Sequence, residues 1–273
     1  MADVKVNPEG SLKGKVALVT GASRGLGEAI AVRLAMEGAK VVCTARTAEE
    51  GESRLPGTLN DTLDRIRAAG GEASFIKADL SKAEDRERLV ADAKLIYGDI
   101  DILINNAAVT FFIPVEDFPK KRFDLMMEVQ VWAPLHLSQL VLPAMRRKKA
   151  GAIVSISSGA AIHPVKPYTT ARAGGTIYGM CKAAIERFST GLAAEVYADN
   201  ISVNAISPGL VATPGVAVHG LITEATKHRV SPVENIAEAV YQLVSRSPHE
   251  MTGRIDHAGP FLEEFGLKPS DLV

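Results

Sequence analysis

Residues 16–27 read Val-Ala-Leu-Val-Thr-Gly-Ala-Ser-Arg-Gly-Leu-Gly, and this stretch decides the fold. The apolar run Val16–Val19 predicts a strand buried on both faces, as in a parallel sheet. Ile30 and Leu34 share one helix face and predict a helix that ends near Gly38. A strand, a glycine turn and a helix in this order are typical of pyrophosphate binding, because the backbone approaches the phosphates closely and the helix N-terminus supplies N–H donors. The alternative, a turn with a purely structural role, is disfavoured by the flanking elements. The expected binding residues of the turn are Gly21, Ser23, Arg24, Gly25, Leu26 and Gly27.

The remainder of the chain alternates apolar runs with amphipathic segments. Hydrophobic residues make up 47% of the 273 residues and aromatic residues only 5%, which favours a parallel sheet covered by helices. We predict one doubly wound, Rossmann-type α/β domain over residues 1–273, with about seven parallel strands in the order 3-2-1-4-5-6-7 and helices on both faces. Strands are expected at 15–20, 39–45, 73–78, 100–105, 151–157, 201–207 and 251–255. Helices are expected at 25–37, 58–69, 82–97, 120–147, 176–198 and 232–246.

Several boundaries can be predicted from local signals. Capping boxes are expected where Ser81 precedes Glu84 and where Ser231 precedes Glu234, with Pro232 at the first helical position of the second case. Residues 1–12 and the tail 257–273 are less patterned and are expected to form arms.

Charge and composition argue against several classes of function. The formal net charge of −1 gives no basic field for nucleic acid. No apolar run has the length of a membrane span, and the N-terminus lacks a signal-peptide core, so we expect a cytoplasmic protein without a membrane partner. Cys43 and Cys181 are interpreted as reduced core residues. The six histidines show no ligand spacing, so no metal is expected.

Two further strands end in small or polar residues. Residues 101–108 read Asp-Ile-Leu-Ile-Asn-Asn-Ala-Ala, and residues 153–158 read Ile-Val-Ser-Ile-Ser-Ser. Open α/β sheets bind ligands at the carboxyl ends of their strands, where small residues leave room. Each segment could also be an ordinary strand-to-turn transition.

Tyr178 and Lys182 stand four residues apart in a predicted helix, so they share one face. A nearby ammonium favours phenolate and is expected to lower the pKa of Tyr178. Tyr168 and Arg172 have the same spacing, but the threonines between them and the glycines that follow disfavour a helix there.

Together these motifs resemble the short-chain dehydrogenase/reductase family, from Lys15 to about Ile255. The resemblance rests on T-G-x-x-x-G-x-G, N-N-A-A, a serine before Y-x-x-x-K, and a later Pro208-Gly209 with Thr213. Residues 54–59 and 124–127 look like the hydroxysteroid-dehydrogenase-like branch.

The resemblance implies hydride transfer between a nicotinamide and a small-molecule carbonyl or secondary alcohol. Tyr178 would be the general acid or base, Lys182 would bind the nicotinamide ribose, and Ser158, the second serine of its pair with Ser157, would bind the substrate oxygen. It also implies a homotetramer or homodimer. Further cofactor contacts carried over from the family are Asp79, Leu80, Asn106, Ala107, Tyr178, Lys182, Pro208, Gly209, Val211 and Thr213. Asp79 could equally cap the end of its strand.

Cofactor choice can be argued from the end of the second strand. A carboxylate there would bind a free ribose 2′-hydroxyl, but this chain has Ala45 followed by Arg46. Arg24 in the glycine turn could reach the same place. Two guanidiniums without a carboxylate favour NADP(H) over NAD(H). The alternative is that both arginines are solvated surface charges.

The chain departs from the family pattern in two places. Gln130 stands where a catalytic asparagine is expected, which puts the proton relay supported by that asparagine in doubt. Residues 159–177 form an insertion between the active-site serine and tyrosine, carrying His163, Lys166, Tyr168 and Arg172. The insertion is either a surface loop or a wall of the substrate pocket. Residues 214–229 are expected to form a substrate lid. An alternative function is a non-catalytic protein that senses a dinucleotide, favoured only by Gln130.

Overall fold

A seven-stranded parallel sheet forms the middle layer of the molecule. The computed structural model describes residues 6–166, 168 and 174–272. The strands of the sheet are β1 (Val16–Thr20), β2 (Lys40–Ala45), β3 (Glu72–Lys77), β4 (Ile102–Asn105), β5 (Gly151–Ile156), β6 (Ile201–Ser207) and β9 (Ile255–His257). Their order is β3-β2-β1-β4-β5-β6-β9, with every neighbouring pair parallel. Two short strands, β7 (Leu210–Val211) and β8 (Val230–Ser231), pair with each other outside this sheet.

Helices cover both faces of the sheet, as the alternating sequence pattern predicts. The helices are α1 (Gly25–Met36), α2 (Leu59–Ala68), α3 (Ala83–Tyr97), α4 (Lys120–Met127), α5 (Ala133–Lys148), α6 (Thr176–Val196), α7 (Pro214–Val218), α8 (Val233–Ser245) and α9 (Ala258–Glu264). Successive strand residues point to opposite faces, so Ile104 belongs to the core layer under α1, α2, α8 and α9, whereas Leu103 belongs to the layer under α3, α5 and α6. The doubly wound fold is therefore confirmed, with β9 as the seventh strand of the sheet.

The helix expected over 120–147 is not a uniform α-helix. Helix α4 ends at Met127, a π turn spans Glu128–Trp132, and α5 continues to Lys148. The bonds of a π turn reach from residue i to i+5, which widens the backbone locally. Such turns occur often at functional sites, and this one contains Gln130.

Both predicted capping boxes are wrong. The Ser81 hydroxyl donates to the Asp79 carboxylate at 2.8 Å, and α3 begins only after Lys82, without a side-chain cap. Ser231 belongs to β8, so Pro232 is the N-cap of α8 and not its first helical residue. A capping box occurs instead at α2, where Thr58 and Asp61 bond reciprocally to each other's backbone N–H.

The last strand was predicted too early. Residues 251–253 form a bend with Gly253 at a φ of +72°, and the strand begins only at Ile255. The Thr252 hydroxyl accepts a hydrogen bond from the Val203 N–H at 3.0 Å, so this bend is tied to β6 by a side chain. The alternation of apolar residues does not reveal such a bend.

Both chain ends pack on their own domain over the described residues. Leu12 in the predicted N-terminal arm is buried. In the predicted tail, Phe261 and Leu262 of α9 are buried in the core under the α1 and α8 layer. Cys43 and Cys181 are buried free thiols, as expected. Within the described ranges, no helix is both long and apolar enough to cross a membrane.

Candidate active site

The site forms in the crevice between β1 and β4, where the strand order reverses. Thr20, the last residue of β1, connects the two strands through its hydroxyl. The hydroxyl donates to Ile104 O at 3.0 Å and accepts from the backbone N–H groups of Asn106 and Ala107 at 2.9 and 3.0 Å. The Asn106 amide donates to Thr20 O at 2.8 Å. The expected binding residues Asn106 and Ala107 are thereby held against the glycine turn. Thr20 was not singled out from the sequence, because its partners lie more than 80 residues away.

The glycine turn requires its glycines for close approach. A Cβ added at Gly27 would lie 2.2 Å from Gly21 O, and one added at Gly25 would lie 3.2 Å from the side chain of Thr213. Thr213 therefore lies beside the N-terminus of α1, which brings the expected 208–213 segment to the turn. Arg24 is the N-cap of α1 and has extended backbone without a side-chain cap. The first N–H groups of α1 are not capped by the side chain of this residue, as an anion-binding helix N-terminus requires.

The remaining residues expected in the cofactor site lie around this crevice. Ser23 is buried, Leu26 packs against the core, and Val211 is buried in β7. Gly209 has a φ of +77° and turns the chain between β6 and β7. The Asp79 carboxylate accepts bonds from the backbone and hydroxyl of Ser81, so it does cap the end of its strand. Of the remaining expected contacts, Pro208 follows β6 and Leu80 follows β3.

The two serines that follow β5 have different hydrogen-bond partners. The Ser157 hydroxyl is buried and donates to Glu186 Oε1 at 2.5 Å. The Ser158 hydroxyl accepts from the Ala160 N–H at 3.2 Å, which leaves its own proton for another acceptor. This geometry favours Ser158 over Ser157 as the hydroxyl that binds a substrate oxygen.

Tyr178 and Lys182 share a face of α6 next to Ser158, as their spacing predicts. Lys182 Nζ lies 5.7 Å from the centroid of the Tyr178 ring and donates to Ile156 O at 2.9 Å. Burial raises the pKa of Tyr178, and the Ser158 hydroxyl acts in the opposite direction. The expected lowering by Lys182 is not seen. Burial lowers the pKa of Lys182 to about 8, because the ammonium loses its hydration.

Gln130 is buried in the π turn, which packs against α6. Its Nε2 donates to Val109 O at 2.8 Å, while its Oε1 has no hydrogen-bond partner among the described residues. Buried side-chain atoms without a partner in the described part of the chain also occur at Asn105, at the end of β4, and at Ser155, opposite it on β5. The amide of Gln130 is thus positioned by the strand-end loop, with its carbonyl oxygen available as an acceptor.

An aromatic cluster lies against the ring of Tyr178. The Phe112 ring meets the Tyr178 ring edge-on at 5.6 Å between centroids, and meets His219 of the predicted lid at 5.0 Å. Gly174, at the end of the insertion, packs so closely that a Cβ would lie 2.4 Å from the Ile113 nitrogen. Sequence reasoning missed Phe112, since nothing local distinguishes it from Phe111.

Most of the insertion that the structure describes is exposed. His163, Lys166 and Tyr168 face solvent, whereas Ala161 is buried. Arg172 lies outside the described residues, and so does any geometry of the Tyr168–Arg172 pair. The exposed side chains lie between two anchored ends, Ser158 and Gly174.

Comparison with known proteins identifies the family of the chain. The family model for short chain dehydrogenase matches residues 15–220, and the chain belongs to that family. Bovine dehydrogenase/reductase SDR family member 4 is 37% identical over 214 residues, which is 78% of this chain and 71% of the bovine protein. Mouse hydroxysteroid dehydrogenase-like protein 2 is 32% identical over 96% of this chain, which spans only 52% of the mouse protein.

Solved structures show the same fold. A metagenomic short-chain oxidoreductase in complex with NADP superimposes with a TM-score of 0.73 at 30% identity, covering 90% of this chain and 98% of the other. A Serratia marcescens short-chain dehydrogenase/reductase, solved as a double mutant, gives a TM-score of 0.78 at 30% identity, covering 90% of this chain and 97% of the other. The chain is therefore a short-chain oxidoreductase by family and fold.

Proposed function

We propose that this protein is an NADP(H)-dependent oxidoreductase that interconverts a carbonyl and a secondary alcohol, with Tyr178 as general acid and base. The observation that carries the proposal is the convergence of Ser158, Tyr178 and Lys182. The same chain has a glycine turn before α1, whose N-cap Arg24 provides no side-chain cap. A hydroxyl donor, a phenol and an ammonium at one strand edge suit a reaction in which negative charge develops on a substrate oxygen.

Each side chain has a definite task in carbonyl reduction. The bound nicotinamide supplies the hydride. Ser158, whose oxygen already accepts from the Ala160 N–H, keeps its proton and donates a hydrogen bond to the substrate oxygen, which orients it. Tyr178 delivers a proton to the same oxygen. Because burial raises its pKa, the phenol is protonated at neutral pH, as a general acid must be. Lys182 holds the ribose hydroxyls, with Ile156 O fixing its position.

The residues expected beside the adenosine ribose of the cofactor suit a 2′-phosphate. Arg24 and Arg46 are close enough for the charge of Arg46 to lower the pKa of Arg24, after burial has done so to a greater extent. Arg24 Nε is buried without a hydrogen-bond partner in the described part of the chain. Ala45 supplies no carboxylate to repel the phosphate. The neighbour that contains NADP supports the same class of cofactor.

A screen of ketones and alcohols with NADPH, NADH, NADP and NAD tests the function. We expect turnover with a carbonyl substrate and NADPH. Tyr178→Phe should lower kcat by roughly a thousandfold or more, the contribution of a general acid together with orientation, while NADPH affinity stays within about threefold. Tyr197→Phe, at an exposed tyrosine that follows α6, is the matched control and should leave kcat unchanged.

Two outcomes would contradict the proposal. Tyr178→Phe rates within about tenfold of wild type would remove Tyr178 from the chemistry. Tight NADPH binding without turnover on any substrate would favour the dinucleotide-sensing alternative, for which the replacement of asparagine by Gln130 is the supporting feature.

A further inference from the structure

Residues 47–57 connect β2 to α2 directly after Arg46, and we call this segment the 47–57 loop. Its two ends are held together by backbone bonds. Leu59 N donates to Thr47 O at 3.1 Å, and Asn60 N donates to Ala48 O at 3.3 Å. The capping box at Thr58 then fixes the start of α2. The loop is therefore closed at its base and lies beside the strand end where the cofactor's ribose is expected.

Arg24 connects the loop to the glycine turn through two hydrogen bonds. Arg24 Nη1 donates to Ser53 Oγ at 3.1 Å, and Nη2 donates to Gly57 O at 2.7 Å. Gly57 has a φ of +93°, and a Cβ there would lie 2.8 Å from Ser23 O and 2.9 Å from Arg24 Cβ. The loop backbone thus lies directly on the phosphate-binding turn, which only glycine permits at this position.

An ion pair connects the loop to β3. The Glu52 carboxylate accepts from Ala48 N at 2.7 Å and from Glu49 N at 3.2 Å, and it pairs with the Lys77 ammonium. The Lys77 contact, aided by the two N–H donors, lowers the pKa of Glu52 to about 2. The carboxylate therefore stays ionised throughout the neutral range, and the loop is tied to strand β3 as well as to α1.

These contacts leave the basic groups incompletely paired. Two of the three nitrogens of the Arg24 guanidinium are bound to the loop, and the third, Nε, is buried without a partner among the described residues. Arg46 at the foot of the loop is exposed. The orientation of the planar guanidinium of Arg24 is fixed by its two bonds, so its remaining donors are held in place before any ligand binds.

We infer that the 47–57 loop is a clasp for the adenosine 2′-phosphate, in which Ser53 and Gly57 position Arg24 without touching the ligand. The inference rests on the proposed NADP(H) function. Arg24 and Arg46 contact the phosphate, while Ser53 prevents the Arg24 side chain from rotating away. Binding a phosphate then loses less side-chain entropy, which raises affinity for the 2′-phosphate specifically.

The test compares two nucleotides that differ only in the 2′-phosphate, adenosine 2′,5′-bisphosphate and adenosine 5′-monophosphate. Ser53→Ala removes the acceptor for Arg24 Nη1. Calorimetric titration should show the Kd for the bisphosphate weakened about three- to tenfold, in the range of the net contribution of one typical hydrogen bond. The Kd for the monophosphate should stay within about twofold. Ser11→Ala, which removes a hydroxyl that contacts Tyr241 in another part of the fold, is the matched control and should bind both nucleotides like wild type.

Hydrogen exchange provides a second measurement. In wild type the bisphosphate should slow amide exchange across the 47–57 loop more than the monophosphate does, and Ser53→Ala should abolish that difference. Equal weakening of both nucleotides by Ser53→Ala would show a purely structural role and overturn the inference. So would an unchanged bisphosphate Kd in a protein whose wild type prefers NADPH. A wild type with equal affinity for NADPH and NADH would instead overturn the proposed cofactor preference, and the clasp with it.

Discussion

Replacing Lys182 by methionine should change how the stability of the protein depends on pH. Burial lowers the pKa of Lys182 from its ordinary value of 10.5 to about 8. One pKa unit corresponds to about 1.36 kcal/mol, so the folded protein carries an electrostatic cost on the order of 3 kcal/mol when this lysine is charged. Lys182→Met removes that cost and also removes the hydrogen bond to Ile156 O, whose loss costs about 1–3 kcal/mol. Near pH 7 the two effects largely offset each other.

The sign of the pH dependence follows from proton counts. Between pH 8 and 10.5 the unfolded chain keeps the Lys182 proton while the folded protein loses it, so raising the pH stabilises the wild type. The cost is complete below about pH 8 and has fallen by about 2 kcal/mol at about pH 9.5. Lys182→Met lacks this gain. Tyr178 also titrates at high pH, but both proteins carry it. Burial raises the pKa of Cys181 and Lys182 lowers it, so Lys182→Met raises that pKa further, which destabilises the variant at high pH and adds to the expected difference in the same direction.

Urea unfolding of the cofactor-free protein at about pH 7 and about pH 9.5 measures this quantity. We expect the free energy of unfolding of wild type, relative to Lys182→Met, to rise by about 2 kcal/mol between the two pH values. Lys121→Met, at an exposed lysine, serves as the control and should follow the wild type. A difference that changes by less than about 0.5 kcal/mol would refute the assignment of a desolvated ammonium at this position.

Three further predictions concern cofactor, substrate and assembly. Ala45→Asp combined with Arg46→Ala should reverse a preference for NADPH of roughly tenfold to several hundredfold, because each charge-assisted contact contributes about 1.5–3 kcal/mol; equal affinities in wild type would contradict this. Shortening Pro164–Gly174 should alter KM for substrates with an acidic group, while the Kd for NADPH stays constant. The measurement compares kcat/KM for a substrate with an acidic group and for a matched substrate without one. If the ratio of these two values does not change, the insertion does not belong to the substrate pocket. Helix α5 carries apolar residues on more than one face, such as Leu140 and Leu142, so light scattering should show a dimer or tetramer; a 29.0 kDa species at micromolar concentration would exclude this.

The sheet could be predicted from the sequence because its signals are local. Runs such as Val16–Val19 are apolar on both strand faces, and six of the predicted strands overlap the observed ones almost completely. The i, i+4 spacing of Tyr178 and Lys182 likewise depends only on helix geometry. Their ionisation did not follow from spacing, because burial outweighs the effect of a neighbouring charge at this site.

One contact that local patterns missed depends on the tertiary fold, and another is a competing local bond. Arg24 was expected to be available to a phosphate, but it also binds Ser53 and Gly57, about 30 residues further along the chain. The capping box predicted at Ser81 failed because α3 begins one residue later, with Lys82 as its N-cap, while the Asp79 carboxylate accepts from both the backbone N–H and the hydroxyl of Ser81. Asp side chains form such bonds two residues along the chain, so the sequence at 79–84 allowed both this turn and the cap at Ser81.

The π turn at Glu128–Trp132 also affects how the long helix is phased. A turn closed by i to i+5 bonds holds more residues than the roughly 3.6 of an α turn, and each residue in excess rotates the following side chains by about 100° around the axis. If the 3.6-residue period of α4 is extended through the π turn, the side chains after Trp132 are therefore assigned to the wrong side of α5. An alignment of this chain with a relative whose helix is a regular α-helix should need a gap between residues 128 and 132, and a helical wheel drawn across the turn should be split there.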